Sequence, residues 1–170
     1  IPSSISSIRN AQLRSSIDQA GALAHFAKSQ ALSGKTIGIR IAASPPNTLE
    51  VNDLSNPASP KTIKTLSFPL RYSLSAIFYT PNASLVASQS WGPVNPLYAQ
   101  YPIIFTPSGF APLLNANGQV YGQAPWGEIK IQDPYTEILS GRAQVGMKYI
   151  GYLRVTNGSA ISKNYGIQQQ

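Results

Sequence analysis

The feature that most constrains the fold is a long stretch at the start of the chain, Pro2 to Gly34, in which no second proline occurs. Pro2 followed by serines suits a helix entrance, where the missing N–H of proline costs nothing. Gly34 suits the left-handed C′ position that ends a helix. Apolar residues recur between these marks at alternating steps of four and three, which predicts a helix with one buried stripe: Leu13, Ile17, Ala20, Ala24, Ala27 and Ala31.

The first third of this stretch has a different pattern. Ile1, Ile5 and Ile8 form a thin apolar line among Ser, Arg and Asn residues. We therefore expect the second half of the helix to pack on the rest of the chain and the first half to project from it. The alternative is an ordinary amphipathic helix that covers a sheet.

Only strand patterns follow the helix. Apolar residues alternate with polar ones in several runs, the longest of which, Leu66 to Phe78, contains Pro69 as the mark of an edge, a bulge or a break into two strands. Further strands are predicted at 35–42, 48–54, 103–106, 128–132 and 145–155, with a hairpin at 110–121. A helix followed by strands alone predicts an α+β fold, with the long N-terminal helix packed on one or two antiparallel sheets.

The 170 residues favour a single domain. Within it the pattern predicts three parts: a spine helix at 1–34, a β-rich head at 35–156 and a flexible polar tail at 157–170. Asp133 and Pro134 are expected to form a turn inside the head.

The charge balance points weakly to an anionic partner. The chain has 13 basic and 6 acidic side chains, a net charge of +7, and only 11% charged residues. Nucleic acid or a lipid surface is the usual partner of such an excess, and the low charged fraction suits an extracytoplasmic surface. No cysteine is present, which excludes disulfides and thiolate metal sites. The sequence contains no run of 18 apolar residues, the length needed to span a membrane. Because it begins with Ile, we expect that a preceding segment has been removed.

No catalytic constellation is visible. His25 is the single histidine and lies in the helix beside Phe26. Glu128, Asp133 and Glu137 are close in sequence, and surface turns explain them better than paired catalytic carboxylates or a calcium site. The sequence therefore predicts a protein that is not an enzyme and that holds no metal or cofactor.

Two groups of residues could bind a partner. Trp91, Tyr98 and Trp126 lie in predicted loops with other aromatic residues, where they could serve as platforms for carbohydrate or fill the core beneath the loops.

The second group is Arg142, Lys148 and Arg154, near Tyr149 and Tyr152. Basic side chains mixed with aromatic ones hold single-stranded nucleic acid, although a solvated strand face has the same composition.

Three features together indicate a family. They are the helix that begins at a proline, the run Ile103-Ile104-Phe105-Thr106-Pro107-Ser108-Gly109, and the run from Arg142 to Val155 that ends Gly151-Tyr152-Leu153-Arg154-Val155. In this order they resemble the type IV pilin-like proteins, and specifically the H-type minor pseudopilins of type II secretion and related minor pilins. Positions 103 to 109 match the family pattern I-x-F-x-P-x-G, and Tyr152 replaces the first arginine of its C-terminal pattern.

The resemblance implies a non-catalytic subunit that assembles with other pilin or pseudopilin subunits into a periplasmic filament. An apolar half-helix upstream of Ile1 would anchor it in the bacterial inner membrane, and Ile1, Ile5 and Ile8 would continue the packing in the filament. The residues from Leu13 to Ala31 would hold the head, and Trp91, Tyr98 and Trp126 would face partners or cargo. Two alternatives stay open: a DNA-binding minor pilin that uses Arg142, Lys148 and Arg154, and a carbohydrate-binding β-sandwich module.

Overall fold

The computed structural model describes residues 2–56, 58–78, 91–92, 101–110, 114–115, 126–138, 146–156 and 160–169. These residues contain one helix, α1, and eleven strands, numbered β1 to β11 in chain order. Their bounds are α1 Pro2–Leu32, β1 Ile37–Ile41, β2 Thr48–Asp53, β3 Lys61–Ser67, β4 Ser73–Phe78, β5 Trp91–Gly92, β6 Ile103–Thr106, β7 Gly109–Phe110, β8 Leu114–Asn115, β9 Trp126–Ile138, β10 Gly146–Thr156 and β11 Ile161–Gln169.

The helix ends where the sequence predicts. The Ser33 N–H bonds to the carbonyl of Gln30 at 3.2 Å and the Gly34 N–H to that of Ala31 at 3.0 Å. Gly34 has a φ of 98°, a conformation that glycine adopts without the cost of a Cβ clash. The predicted stripe is buried along its whole length, together with Leu23. The periodicity of the sequence therefore located the helix and its packed face correctly.

Two main sheets follow, and every strand pair among the described residues is antiparallel. The first sheet has the strand order β3-β2-β1-β6-β7, and the second has the order β11-β10-β9-β4. The short strands β5 and β8 pair with each other through Trp91 and Asn115. The long alternating run is broken at Pro69, so that β3 belongs to the first sheet and β4 to the second. Asn47 fixes this break by donating from its side chain to the carbonyls of Pro69 at 2.9 Å and Tyr72 at 2.7 Å.

The prediction of an α+β fold, with a long helix packed on one or two antiparallel sheets, is wrong. Among the described residues, strand residues outnumber helical ones roughly two to one, and the strands form two main antiparallel sheets, both of which pack on α1. The stripe of α1 belongs to one core shared by both sheets, with Ile39, Val51 and Phe105 on one side and Ile131 and Leu153 on the other. The molecule is thus a mainly β structure in which one face of the helix packs on core residues of both sheets. The periodicity of α1 shows that one face is buried, but it carries no information about how many sheets cover that face.

Two local predictions are also wrong. Residues 161–169, expected in a flexible tail, form β11, which pairs with β10 through nine residue pairs from Met147–Gln169 to Val155–Ile161. Asp133 and Pro134, expected to form a turn, lie inside β9. The register of β9 against β10 shifts between Met147 and Tyr149, opposite the segment that holds Pro134. An irregular ladder of this kind accommodates a residue that cannot donate a backbone hydrogen bond.

The helix lies very close to β10 at Gly151. A Cβ added to Gly151 would lie 2.3 Å from Cγ1 and 2.5 Å from Cδ1 of Ile17, a fully buried side chain of the stripe. Glycine is therefore the residue that allows the helix to pack directly against the backbone of the second sheet.

We predict that Gly151→Ala lowers the free energy of unfolding by about 1–3 kcal/mol, the usual cost of overpacking a core. Gly166→Ala on the adjacent strand is the matched control, since a Cβ there meets nothing within 4 Å. Urea denaturation measures both variants. If the collision with Ile17 is the cause, Gly151→Ala costs less in an Ile17→Val background, and equal costs in the two backgrounds would contradict this explanation.

Candidate functional site

The end of α1 that precedes Leu13 is exposed. None of residues 7–12 is buried, whereas Leu13 is 1% exposed and begins the stripe. Ile8 is 58% exposed, and at the other end of the same helix Leu32 is 72% exposed. Ile1 and the side chain of Ile5 lie outside the described residues. We call residues 7–12 the helix end.

A buried carboxylate holds the helix end to the second sheet. Asp133 of β9 is fully buried, and its Oδ1 accepts a hydrogen bond from Nη1 of Arg9 at 3.2 Å. Nε of Arg71 lies 3.9 Å from Oδ2 of the same carboxylate, and Nη2 of Arg71 donates to Oε1 of Gln12. The Asp133 cluster, consisting of Arg9, Arg71 and Asp133, therefore joins α1, the β3–β4 connection and β9.

The Asp133 cluster replaces apolar packing at this end of the helix. A buried carboxylate is stable only when opposite charges and hydrogen bonds compensate its lost hydration. The two arginines supply this compensation while about a third of each side chain stays in water, at 31% exposed for Arg9 and 35% for Arg71. The helix end is thus fixed in position although none of its described side chains is buried.

We predict that Arg9→Ala lowers the free energy of unfolding by about 1–3 kcal/mol, because the carboxylate of Asp133 stays buried with one cation fewer. The figure is below the usual cost of breaking a buried pair since Arg71 remains and Arg9 is partly hydrated. Arg14→Ala is the control on the same helix. Its guanidinium only overlies the ring of Tyr165, at 5.4 Å from the centroid, and its loss should cost less than about 1 kcal/mol. Equal costs for the two variants in urea denaturation would contradict this role of Asp133.

A second cluster ties α1 to the C-terminal strand. Oδ1 of Asp18 accepts hydrogen bonds from the hydroxyl of Tyr165 at 2.5 Å and from Nζ of Lys163 at 2.9 Å. The hydrogen bond from Tyr165, followed by that from Lys163, lowers the pKa of Asp18 below its ordinary value of 3.8. Burial and the bond to Asp18 raise the pKa of Tyr165 to about 12. The Asp18 cluster, consisting of Asp18, Lys163 and Tyr165, explains why β11 is ordered against the helix.

These shifts set the pH range in which the Asp18 cluster stabilises the fold. A lowered carboxyl pKa contributes stability above the unfolded value of 3.8, and this contribution is lost as the pH falls through the folded value. A raised tyrosine pKa contributes stability below the unfolded value of 10.0, and it is lost as the pH rises towards 12. We predict that the melting temperature of Tyr165→Phe lies below that of the unaltered chain near neutral pH, and that the difference shrinks at both extremes. A difference that is constant from acid to alkaline pH in thermal denaturation would be inconsistent with this cluster.

The predicted nucleic-acid residues are only partly placed. Arg142 lies outside the described residues, and Lys148 belongs to β10 opposite Gln168, with its side chain outside the description. Nε and Nη2 of Arg154 each lie 2.9 Å from Oε1 of Glu128, whose side chain is 4% exposed. The charge of Arg154 is therefore compensated by a buried carboxylate, which weakens its attraction for phosphate.

The predicted partner-facing aromatics are not brought into a described site. Trp91 lies in β5, Trp126 begins β9 opposite Thr156, and the side chains of both lie outside the description. Tyr98 lies outside the described residues altogether. The neighbouring Tyr101 is 2% exposed. Its ring occupies the space that a side chain at position 38 would need, and its hydroxyl accepts a hydrogen bond from Nδ2 of Asn52 at 2.7 Å. For this ring the reading as a core-filling residue is correct.

The surface-turn reading of the acidic residues is wrong for two of the three. Glu128 and Asp133 are buried within β9, at 3% and 0% exposed, and their odd spacing places them on opposite faces of the strand. Glu137 also lies in β9, with its side chain outside the description. Among the described residues, no group of three His, Cys, Asp or Glu side chains could hold a metal ion. His25 is exposed on α1.

Sequence reasoning missed the Asp133 cluster. One signal was available, since Ile129, Ile131 and position 133 share the face of β9 that packs on the core. No sequence pattern pairs Asp133 with Arg9 or Arg71, because 124 residues separate Asp133 from Arg9.

Within the part of the chain that the structure describes, no helix is both long and apolar enough to cross a membrane. Comparisons of the chain with protein-family models, with curated proteins and with solved structures each find no match.

Proposed function

We propose that this chain is a non-catalytic subunit that assembles into a pilus-like or pseudopilus-like filament through the helix end. The observation that carries the proposal is the change of burial along α1. From Leu13 to Ala31 the stripe is buried in the core, while Ile8 is largely exposed on a helix that continues to Pro2. The helix end is the surface to which we expect another subunit to bind.

The Asp133 cluster supports this role. A helix end that is not packed against the protein frays, and a frayed end loses conformational entropy when it binds a partner. Arg9 and Arg71 hold the helix end against β9 through Asp133. The surface around Ile8 is therefore preorganised for a partner rather than ordered only upon binding.

The residues behind the family resemblance serve packing in this chain. Ile103, Phe105, Leu153 and Val155 are fully buried in the shared core, and Gly151 allows the approach of Ile17. They would hold the head in a subunit of this kind, while the contacts between subunits would come from α1. An apolar segment upstream of Ile1, insertion in the bacterial inner membrane and a periplasmic head belong to the same proposal.

Site-specific cross-linking in cells that express the full gene tests the proposal, since this sequence contains no cysteine of its own. Ile8→Cys introduces a thiol at the exposed helix end, and Ala22→Cys introduces one at an exposed position beside the packed stripe. With a short bismaleimide we expect Ile8→Cys to give cross-linked oligomers and Ala22→Cys to give mainly monomer. Both variants should keep the stability of the unaltered chain to within about 0.5 kcal/mol, as surface substitutions usually do.

Two results would contradict the proposal. One is a monomeric product from Ile8→Cys in cells where the thiol is shown to be reactive. The other is the same oligomer yield from both positions, which would indicate non-specific collision instead of a defined surface.

A further inference from the structure

The face of the second sheet that points away from α1 contains a small cavity. The cavity has a volume of about 220 Å³ and is lined by three adjacent strands, through Glu128, Tyr152, Arg154, Ser162, Lys163 and Asn164. The register places Glu128, Arg154 and Ser162 in one cross-strand row and Tyr152 and Asn164 in the next. Gly151 faces Ile17 of the helix, so the even-numbered residues of β10 face away from the core.

The charges of the cavity cancel. Arg154 forms its ion pair with Glu128 along the wall. Lys163 adds no charge to the cavity, because its side chain lies on the opposite face of the sheet, where its ammonium pairs with Asp18 of the helix. An anionic ligand would meet the buried carboxylate of Glu128, and a cationic ligand would meet the guanidinium of Arg154. The balance therefore favours a neutral ligand, although the chain as a whole carries +7.

The remaining lining groups are hydrogen-bonding side chains that can both donate and accept. The hydroxyls of Tyr152 and Ser162 and the amide of Asn164 have this double capacity. Sugar hydroxyls have it too, and the C–H face of a sugar ring can pack on an aromatic ring such as that of Tyr152. The volume is below the ~300–1,000 Å³ of pockets for drug-sized ligands, which limits the ligand to about one sugar ring.

We propose that this cavity on the second sheet binds a single neutral hexose, either free or as the terminal ring of a glycan. The Glu128–Arg154 pair positions the wall, and Tyr152, Ser162 and Asn164 contact the sugar. The nine residue pairs between β10 and β11 hold the lining side chains in place before binding. This reduces the conformational entropy that these side chains lose when the sugar binds. This site is separate from the helix end, so it does not depend on the filament role.

Titration of the ¹⁵N-labelled chain with methyl glycosides of glucose, galactose, mannose and N-acetylglucosamine tests the proposal by NMR. We expect at least one neutral glycoside to shift the amide signals of residues 128, 152, 154 and 162–164, with a dissociation constant on the order of 1–10 mM. The same hexose ring carrying a carboxylate (the uronic acid) or an ammonium group (the amino sugar) should bind more weakly. Failure of every neutral glycoside to shift these signals, or tighter binding of a charged one, would overturn the proposal.

Variants separate the cavity from a non-specific surface effect. Asn164 is exposed, so Asn164→Ala should fold normally and weaken binding about tenfold, the effect of one lost hydrogen bond to the ligand. Tyr152→Phe keeps the ring and removes only the hydroxyl. Lys130→Gln is the control, because Lys130 lies opposite Tyr152 on β9 but does not line the cavity. Unchanged affinity in Asn164→Ala and Tyr152→Phe, or shifts at the same residues with a single-stranded oligonucleotide and not with sugars, would refute the hexose site.

Discussion

The contact between the alanine-rich face of α1 and two different sheets is the constraint on which the rest of the structure depends. Ala20, Ala24, Ala27 and Ala31 are all buried, and their small side chains let strands of both sheets approach the helix closely. The glycine at position 151 extends this close approach to the backbone of β10, where Ile17 takes the space that a Cβ would occupy. Because one helix serves both sheets, its displacement would open both halves of the core at once, so the sheets cannot be treated as independent units.

Ion pairs complete the attachment of the helix where the apolar stripe stops. Asp133 fixes the helix end to β9, and Asp18 fixes the middle of α1 to β11. The chain contains only six carboxylates, and each of the five whose side chains are described forms an ion pair. Asp18, Glu128 and Asp133 connect elements that are far apart in sequence, whereas Glu50 and Asp53 pair within the β1–β2 hairpin.

The sequence allowed the local elements to be predicted but not their assembly. Steps of three and four identified α1 and its buried face, and steps of two identified β1 and β2, because these periods follow from backbone geometry alone. The fold class was wrong because the chain after α1 forms more strand than its pattern predicted, including β11 in the expected tail, so that the described part of the molecule is mainly β. For β11 a period-two signal existed at Ile161, Lys163 and Tyr165, but a charged residue stands at its centre. Its pairing with Asp18 explains why a lysine is tolerated on that face.

The ion pair between Glu128 and Arg154 needs an explanation beyond stability. The carboxylate of Glu128 loses its hydration on burial, although Arg154 stays 45% exposed, and replacing a buried charge and its partner with apolar residues is often neutral or stabilising. Because Arg154 is already compensated, it adds little positive field for a phosphate backbone, although its position in the sequence first suggested nucleic acid. What the pair does supply is a guanidinium and a carboxylate held in fixed orientation beside the hydroxyl and amide side chains of β10 and β11. Fixed polar groups with no net charge recognise shape and hydroxyl geometry rather than charge. The residues that weaken the hypothesis of nucleic-acid binding at Arg154 therefore favour a small neutral ligand on this face.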